Sequence, residues 1–144
     1  MATLSGDKEL MDRLNEMVAN LDVGTLSVGF HSGDKYPDGT PVAAVAFWNE
    51  FGTGKIPPRP FFRQTIAKES PDWGRALAVM LKKNNMDGEK SLNALGAIIS
   101  GQVSESIADF STPANAASTV ARKGFNDPLV WNGDLEKSVT WVIE

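Results

Sequence analysis

The sequence predicts an α+β fold, a small few-stranded sheet packed by several helices. Apolar residues recur at helical spacing over much of the chain, whereas only two short segments, near 25–31 and near 138–143, alternate apolar and polar residues as half-buried strands do. Those two segments are not interleaved with helices in the repeating order that a doubly wound parallel sheet requires. With 144 residues, no internal repeat, no low-complexity tract and no dividing linker, residues 1–144 are expected to form a single domain.

Taken in order, Leu10, Met11, Leu14, Met17, Val18 and Leu21 fall on one stripe of a helix, with Ser5 or Asp7 as its cap and Gly24 as its break. Leu26, Val28 and Phe30 then alternate with Ser27, Gly29 and His31 as the first strand. Pro37-Asp38-Gly39 suits a tight turn. Thr40 and Pro41 read as the N-cap and first residue of a central helix that stops at Gly52, which can take a positive φ at little cost. After it, Pro57, Pro58 and Pro60 fix three φ angles and remove three donors, so this arm is extended and stiff and cannot lie inside a sheet. Phe61, Phe62 and Ile66 follow as anchors, on a short helix of their own.

Ser70-Pro71-Asp72 carries the marks of a new helix start, and Lys82-Lys83 those of its end, near Asn84. Leu92, Leu95, Ile99, Val103, Ile107 and Phe110 step by three and four, which predicts the longest helix, near 90–110, with Gln102, Glu105 and Asp109 on its other side. Thr112-Pro113 reads as the start of a further short helix closed by Gly124. Asp127-Pro128 and Asn132-Gly133-Asp134 mark turns. The tail is a last strand, expected to pair with the first.

The run Phe47-Trp48-Asn49-Glu50-Phe51-Gly52-Thr53, followed by Ile56-Pro57-Pro58-Arg59-Pro60-Phe61-Phe62-Arg63, resembles the signature of tailed-bacteriophage virion morphogenesis proteins, the neck or tail-completion proteins of long-tailed phages. A second match lies in Ala117-Ser118-Thr119-Val120-Ala121-Arg122-Lys123-Gly124 and Asp127-Pro128-Leu129, and with Val28-Gly29-Phe30 the resemblance covers most of the chain from about Leu26 onward. Where that family continues with an acidic residue, a threonine, a glycine and a leucine, this chain has Trp131 and Asn132 before Gly133-Asp134-Leu135. The resemblance implies a non-enzymatic structural protein of a virion, assembled in the host cytoplasm. It further implies a homo-oligomeric, hexameric ring that joins head to tail beside other neck or tail proteins, with DNA only passing through a channel.

Composition agrees with a soluble product. There is no cysteine, hence no disulfide, and no run of apolar residues long enough for a membrane span or a cleaved leader. A net charge of -4 argues against a chain built mainly to grip phosphates. Residues 55–83 nevertheless hold seven bases against two acids, while residues 1–24 hold five acids against two bases. That asymmetry fits ordinary solvated surface, head-to-tail complementarity between copies, or, as an alternative function, a small nucleic-acid-associated module using the basic stretch.

Catalytic patterns fail one by one. Gly52-Thr53-Gly54-Lys55 lacks the upstream glycine and the following hydroxyl of a phosphate loop, and Asp34 to Gly39 mimics part of a calcium loop but puts Tyr36 at its third position and Val45 at its twelfth, where a glutamate should be. The single histidine, His31, reads as a surface or interface residue, and no nucleophile motif accompanies it. Glu50 and Asp38 are carboxylates that a hydrolase could in principle pair. No cofactor, metal or enzymatic activity is expected. The candidate assembly residues are Trp48, Glu50, Phe51, Ile56, Pro57, Pro58, Arg59, Pro60, Phe61, Phe62, Arg63 and Trp131, with the arm presenting Phe61 and Phe62 either to its own subunit or to a neighbour.

Overall fold

The computed structural model describes residues 6–124, 126, 129 and 133–144. The elements are α1 (Gly6–Leu21), β1 (Leu26–Phe30), α2 (Val42–Phe51), α3 (Phe61–Lys83), α4 (Gly88–Ala108), α5 (Ala117–Lys123), α6 (Asp134–Lys137) and β2 (Val139–Ile143). The class is α+β. As the alternation of both ends predicts, β1 and β2 pair antiparallel, with Leu26 opposite Ile143, Val28 opposite Trp141 and Phe30 opposite Val139. Reciprocal bonds between Thr25 and Glu144, at 2.7 and 3.0 Å, extend the ladder by one residue pair.

Helix α4 is the hub, because it alone meets α1, α3, α6 and both strands. Its apolar residues step by four through Leu95, Ile99, Val103 and Ile107, all buried. The Asp87 carboxylate caps its start by accepting from Lys90 N at 2.9 Å. Around Val103 and Ile107 gather Val42, Ala46, Phe61, Phe110, Leu129 and Leu135, with Phe30, Tyr36, Phe62 and Val139 closing the edge of this core.

Small residues on α4 mark where other elements come close. At Gly96 the indole of Trp141 occupies the space a Cβ would need, while its Nε1 donates to Asn93 Oδ1 at 3.1 Å. Gly96→Ala should therefore lose about 1–3 kcal/mol to overpacking, outweighing the ~1 kcal/mol that alanine gains over glycine in a helix. A urea midpoint equal to or above the wild-type value would contradict this packing.

Four expectations need correction. The helix expected to begin at Ser70 is the second half of α3, which runs for 23 residues with Pro71 inside it and so exceeds the 21 of α4. Proline removes the bond to the carbonyl four residues back and ordinarily costs about 3 kcal/mol. Here Ala67 and Pro71 both lie on the exposed side, where water can serve that carbonyl, while the buried side continues through Trp73, whose Nε1 donates to Gln102 Oε1 at 2.8 Å. Packing on α4 overrides the local stop.

The second correction is at α2, where Pro41 is the N-cap, extended at φ -62 and ψ 131, and the helix begins at Val42. Thr40 closes the preceding turn instead, accepting from Tyr36 N at 2.8 Å and donating its own N–H to Asp38 Oδ1 at 2.9 Å. Third, α5 begins at Ala117 rather than at Pro113, although Gly124 ends it as expected, at φ 83 and ψ -1. Fourth, Gly133 at φ 75 opens the short helix α6, where only a turn is predicted. Ser5, Asp127, Pro128 and Asn132 lie outside the described residues.

Candidate assembly surface

Helix α2 has a buried stripe and an exposed aromatic face, with Ala43, Ala44, Val45 and Asn49 half-buried. Val42, Ala46 and Glu50, spaced by four, are buried, and the opposite face leaves Phe47 59%, Trp48 43% and Phe51 54% exposed. The Phe47 and Phe51 rings lie 4.8 Å apart, tilted by 45°. The Arg63 guanidinium sits 4.8 Å from the centre of the Phe51 ring, a cation–π contact that holds one edge of this aromatic ridge.

What fixes the ridge is the return of the chain after α2. Gly52 takes φ 76 with ψ 175, so its φ is positive as expected but its ψ is extended rather than helical. A Cβ there would lie 2.9 Å from both Ile56 O and Pro58 N, which makes glycine a steric requirement as well as a conformational one. Thr53 N donates to Ile56 O at 2.8 Å, and the Thr53 hydroxyl accepts from Lys55 N at 3.2 Å and Ile56 N at 3.1 Å. The Gly54-Lys55 corner is thus a self-satisfied turn. The proline arm then runs back beside α2, with Arg59 N donating to Asn49 O at 2.5 Å.

Pro60 stands at the N-cap of α3 and has no side chain able to cap it. Glu50 does so from the neighbouring helix. Its Oε2 accepts from Phe62 N at 2.9 Å, and its Oε1 accepts from Arg63 N at 3.1 Å and from Arg63 Nε at 2.7 Å. Arg63 Nη2 in turn donates to Glu50 O at 3.0 Å. The carboxylate therefore sits at the positive start of α3 and the guanidinium at the negative end of α2, each favoured by the helix dipole it faces.

Arg59, only 7% exposed, ties the arm to the segment before α5. Its Nε donates to Pro113 O at 3.2 Å and its Nη2 to Ala114 O at 3.3 Å. Burial lowers its pKa from the ordinary guanidinium value, which is high enough that the group stays charged.

The sequence-predicted assembly residues thus separate. Trp48, Phe51, Ile56, Pro57 and Pro58 are exposed, and Pro60 and Phe62 are half-buried. Glu50, Arg59 and Phe61 are buried, so none of these three offers its side chain to a neighbour. Arg63 is exposed but engaged with Glu50. Trp131 lies outside the described residues. The arm delivers Phe61 into the core of its subunit and Phe62 against the edge of that core. Phe47 is missing from the predicted set, although its spacing of four from Phe51, opposite the Val42–Ala46–Glu50 stripe, was a usable signal.

A groove of about 900 Å3 runs beside the arm, lined among others by Tyr36, Val45, Asn49, Ile56, Pro57 and Arg59. Burial first, then the carboxylates of Asp134 and Asp38, raise the pKa of the Tyr36 phenol. Folding favours the neutral phenol, so this contribution is whole below the unfolded-chain value of about 10 and is lost as pH rises through the higher folded value. The urea midpoint should fall from about pH 9 to about pH 11, and Tyr36→Phe should flatten that fall. Identical alkaline profiles for the two proteins would contradict the placement of the ring.

Glu50 is committed to its cap, so it does not pair with Asp38, whose pKa is lowered chiefly by the Thr40 N–H. His31 is exposed and its Nδ1 accepts from Gly33 N at 3.0 Å. Among the described residues no cluster of histidine and carboxylates could hold a metal ion, and no helix is long and apolar enough to cross a membrane. Within the basic stretch 55–83, Arg59 is buried on carbonyls, and Arg63, Lys68 and Arg75 are paired with Glu50, Glu69 and Asp72. Comparison of the chain with protein families, curated proteins and solved structures gives no match in any of the three.

Proposed function

We propose that this chain is a non-enzymatic structural component of a tailed-bacteriophage particle, acting at the neck or the head-proximal end of the tail as a ring of identical copies. The observation that carries the reading is the exposed aromatic ridge of Phe47, Trp48 and Phe51, held in place by the buried Glu50 and Arg59 and by Arg63, which is exposed but bonded to Glu50. Large aromatic side chains on a preorganised backbone lose little entropy when they dock and are the residue types that dominate binding energy at interfaces. The likeness of residues 47–63 to phage morphogenesis proteins supplies the setting.

The alternative, a nucleic-acid-associated module, draws less support, because the net charge is -4 and one of the seven bases it would use, Arg59, is buried on carbonyls. Electron microscopy of particles made without this gene is the test. Full heads beside loose, unattached tails are the expected outcome, and normal infectious particles would remove the proposal.

A further inference from the structure

We infer that α1 of one copy docks its leucine–methionine stripe on the α2 aromatic ridge of the next copy, making a head-to-tail contact. This docking presupposes that copies assemble as proposed above, and it specifies how they touch.

The stripe is an unsatisfied surface. Leu10, Met11, Leu14, Met17, Val18 and Leu21 lie on one side of α1, yet each is between 39% and 66% exposed. A helix gains its stability mainly by burying such a face. Within the subunit α1 meets α4 only sparingly, near the start of α4, where Asn20, Leu21 and Val23 crowd Gly88.

The ridge lies at the other end of α4. Val103 and Ile107 share the core with Val42 and Ala46 of α2, and the span from Gly88 to Ile107 along the helix axis is about 28 Å at 1.5 Å per residue. The two patches do not cover each other within the subunit, since both remain exposed. They can do so between successive copies, and a contact of two different patches, repeated by a rotation that divides a full turn, closes a ring.

Charge selects the same pairing. Around its stripe α1 carries Glu9, Asp12 and Glu16 against Lys8 and Arg13. Beside the ridge the exposed cations are Lys55 and Arg63, whereas the carboxylate that Arg63 meets, Glu50, is buried. An acidic helix therefore meets a basic surround, which favours this partner, whereas two α1 stripes facing each other would bring like charge to like. An acidic helix is likewise repelled by anionic lipid. Flexible leucine and methionine side chains can mould to rigid aromatic ones, as in helix-in-groove recognition.

The chain contains no cysteine, so introduced thiols report a single contact. Val18→Cys changes the stripe little. Ala44→Cys sits on α2 between Phe47, Trp48 and Phe51 on the helical wheel and leaves all three aromatics in place. The two variants are mixed, treated with a short bis-maleimide and sedimented. Crosslinked dimer in the mixture and none in either variant alone is the expected result. Dimer from Val18→Cys alone would mean that two stripes pair, and would overturn the docking. No crosslink in a sample that sediments as an oligomer would overturn the docking and leave the ring standing. A protein that stays monomeric and uncrosslinked up to about 1 mM would count against both.

Discussion

Glu50→Ala is expected to lower the free energy of unfolding by about 3 kcal/mol, more than a surface carboxylate could account for. The side chain of Glu50 is 8% exposed, and its loss deprives three donors at once, Phe62 N, Arg63 N and Arg63 Nε. Each buried N–H left without an acceptor costs about 1–3 kcal/mol. Breaking a buried ion pair by removing one partner costs about 3–5 kcal/mol, but the Arg63 side chain is 57% exposed and can turn to water, so that contribution is discounted. Glu50→Gln keeps one oxygen and turns an amide toward a donor, and should cost about half as much. Arg63→Ala should cost about 1 kcal/mol, because the carboxylate keeps both backbone donors. Urea unfolding of the three variants should rank them in that order. A Glu50→Ala protein within about 0.5 kcal/mol of wild type would show that α3 is not capped from α2.

That cap shows where reading a sequence stops. Signals carried within a few residues were legible: the alternation of Leu26, Val28 and Phe30, the four-step run from Leu95 to Ile107, and the stops at Gly52, Asn84 and Gly124. Glu50 and the donors it serves are 12 and 13 residues apart, and nothing local announces their meeting. Pro71 misled for the opposite reason, since a strong local start signal was outvoted by contacts of α3 with α4. The α1 stripe reveals a third kind of gap. Periodicity says which face of a helix is apolar, and is silent on what covers it.

Candidate residues of the assembly surface followed the same division. Phe51 and Phe61 look alike in sequence, two aromatics flanking the arm, and both are candidates for an interface, with the body of the same subunit as the other destination of Phe61. In the fold Phe51 is 54% exposed and Phe61 is 1% exposed. The difference arises because Phe51 falls opposite the Val42–Ala46–Glu50 stripe, whereas Phe61 opens α3 directly over α4.

Phe61→Ala is the substitution for which the largest loss is expected, about 4 kcal/mol. The Phe61 ring meets Phe30 edge-on with centroids 6.3 Å apart and Phe62 at 6.2 Å, and it shares the core with Val42, Ala46, Val103 and Ile107. Its carbonyl also accepts from the Thr65 hydroxyl at 2.8 Å and the Ser106 hydroxyl at 3.2 Å, so α3 and α4 are pinned together at this residue and cannot readily close on the space left behind. Cavity and lost transfer energy therefore add. Phe61→Leu, which keeps most of the volume, should cost about 1.5 kcal/mol or less. Phe47→Ala, on the ridge, should change stability by no more than about 0.5 kcal/mol, and under the proposed docking should instead weaken association between copies. Stability measured by urea unfolding and association measured by sedimentation should thus respond to different phenylalanines. A Phe61→Ala protein that unfolds at the wild-type midpoint and fails only to associate would restore Phe61 to the interface and displace it from the core.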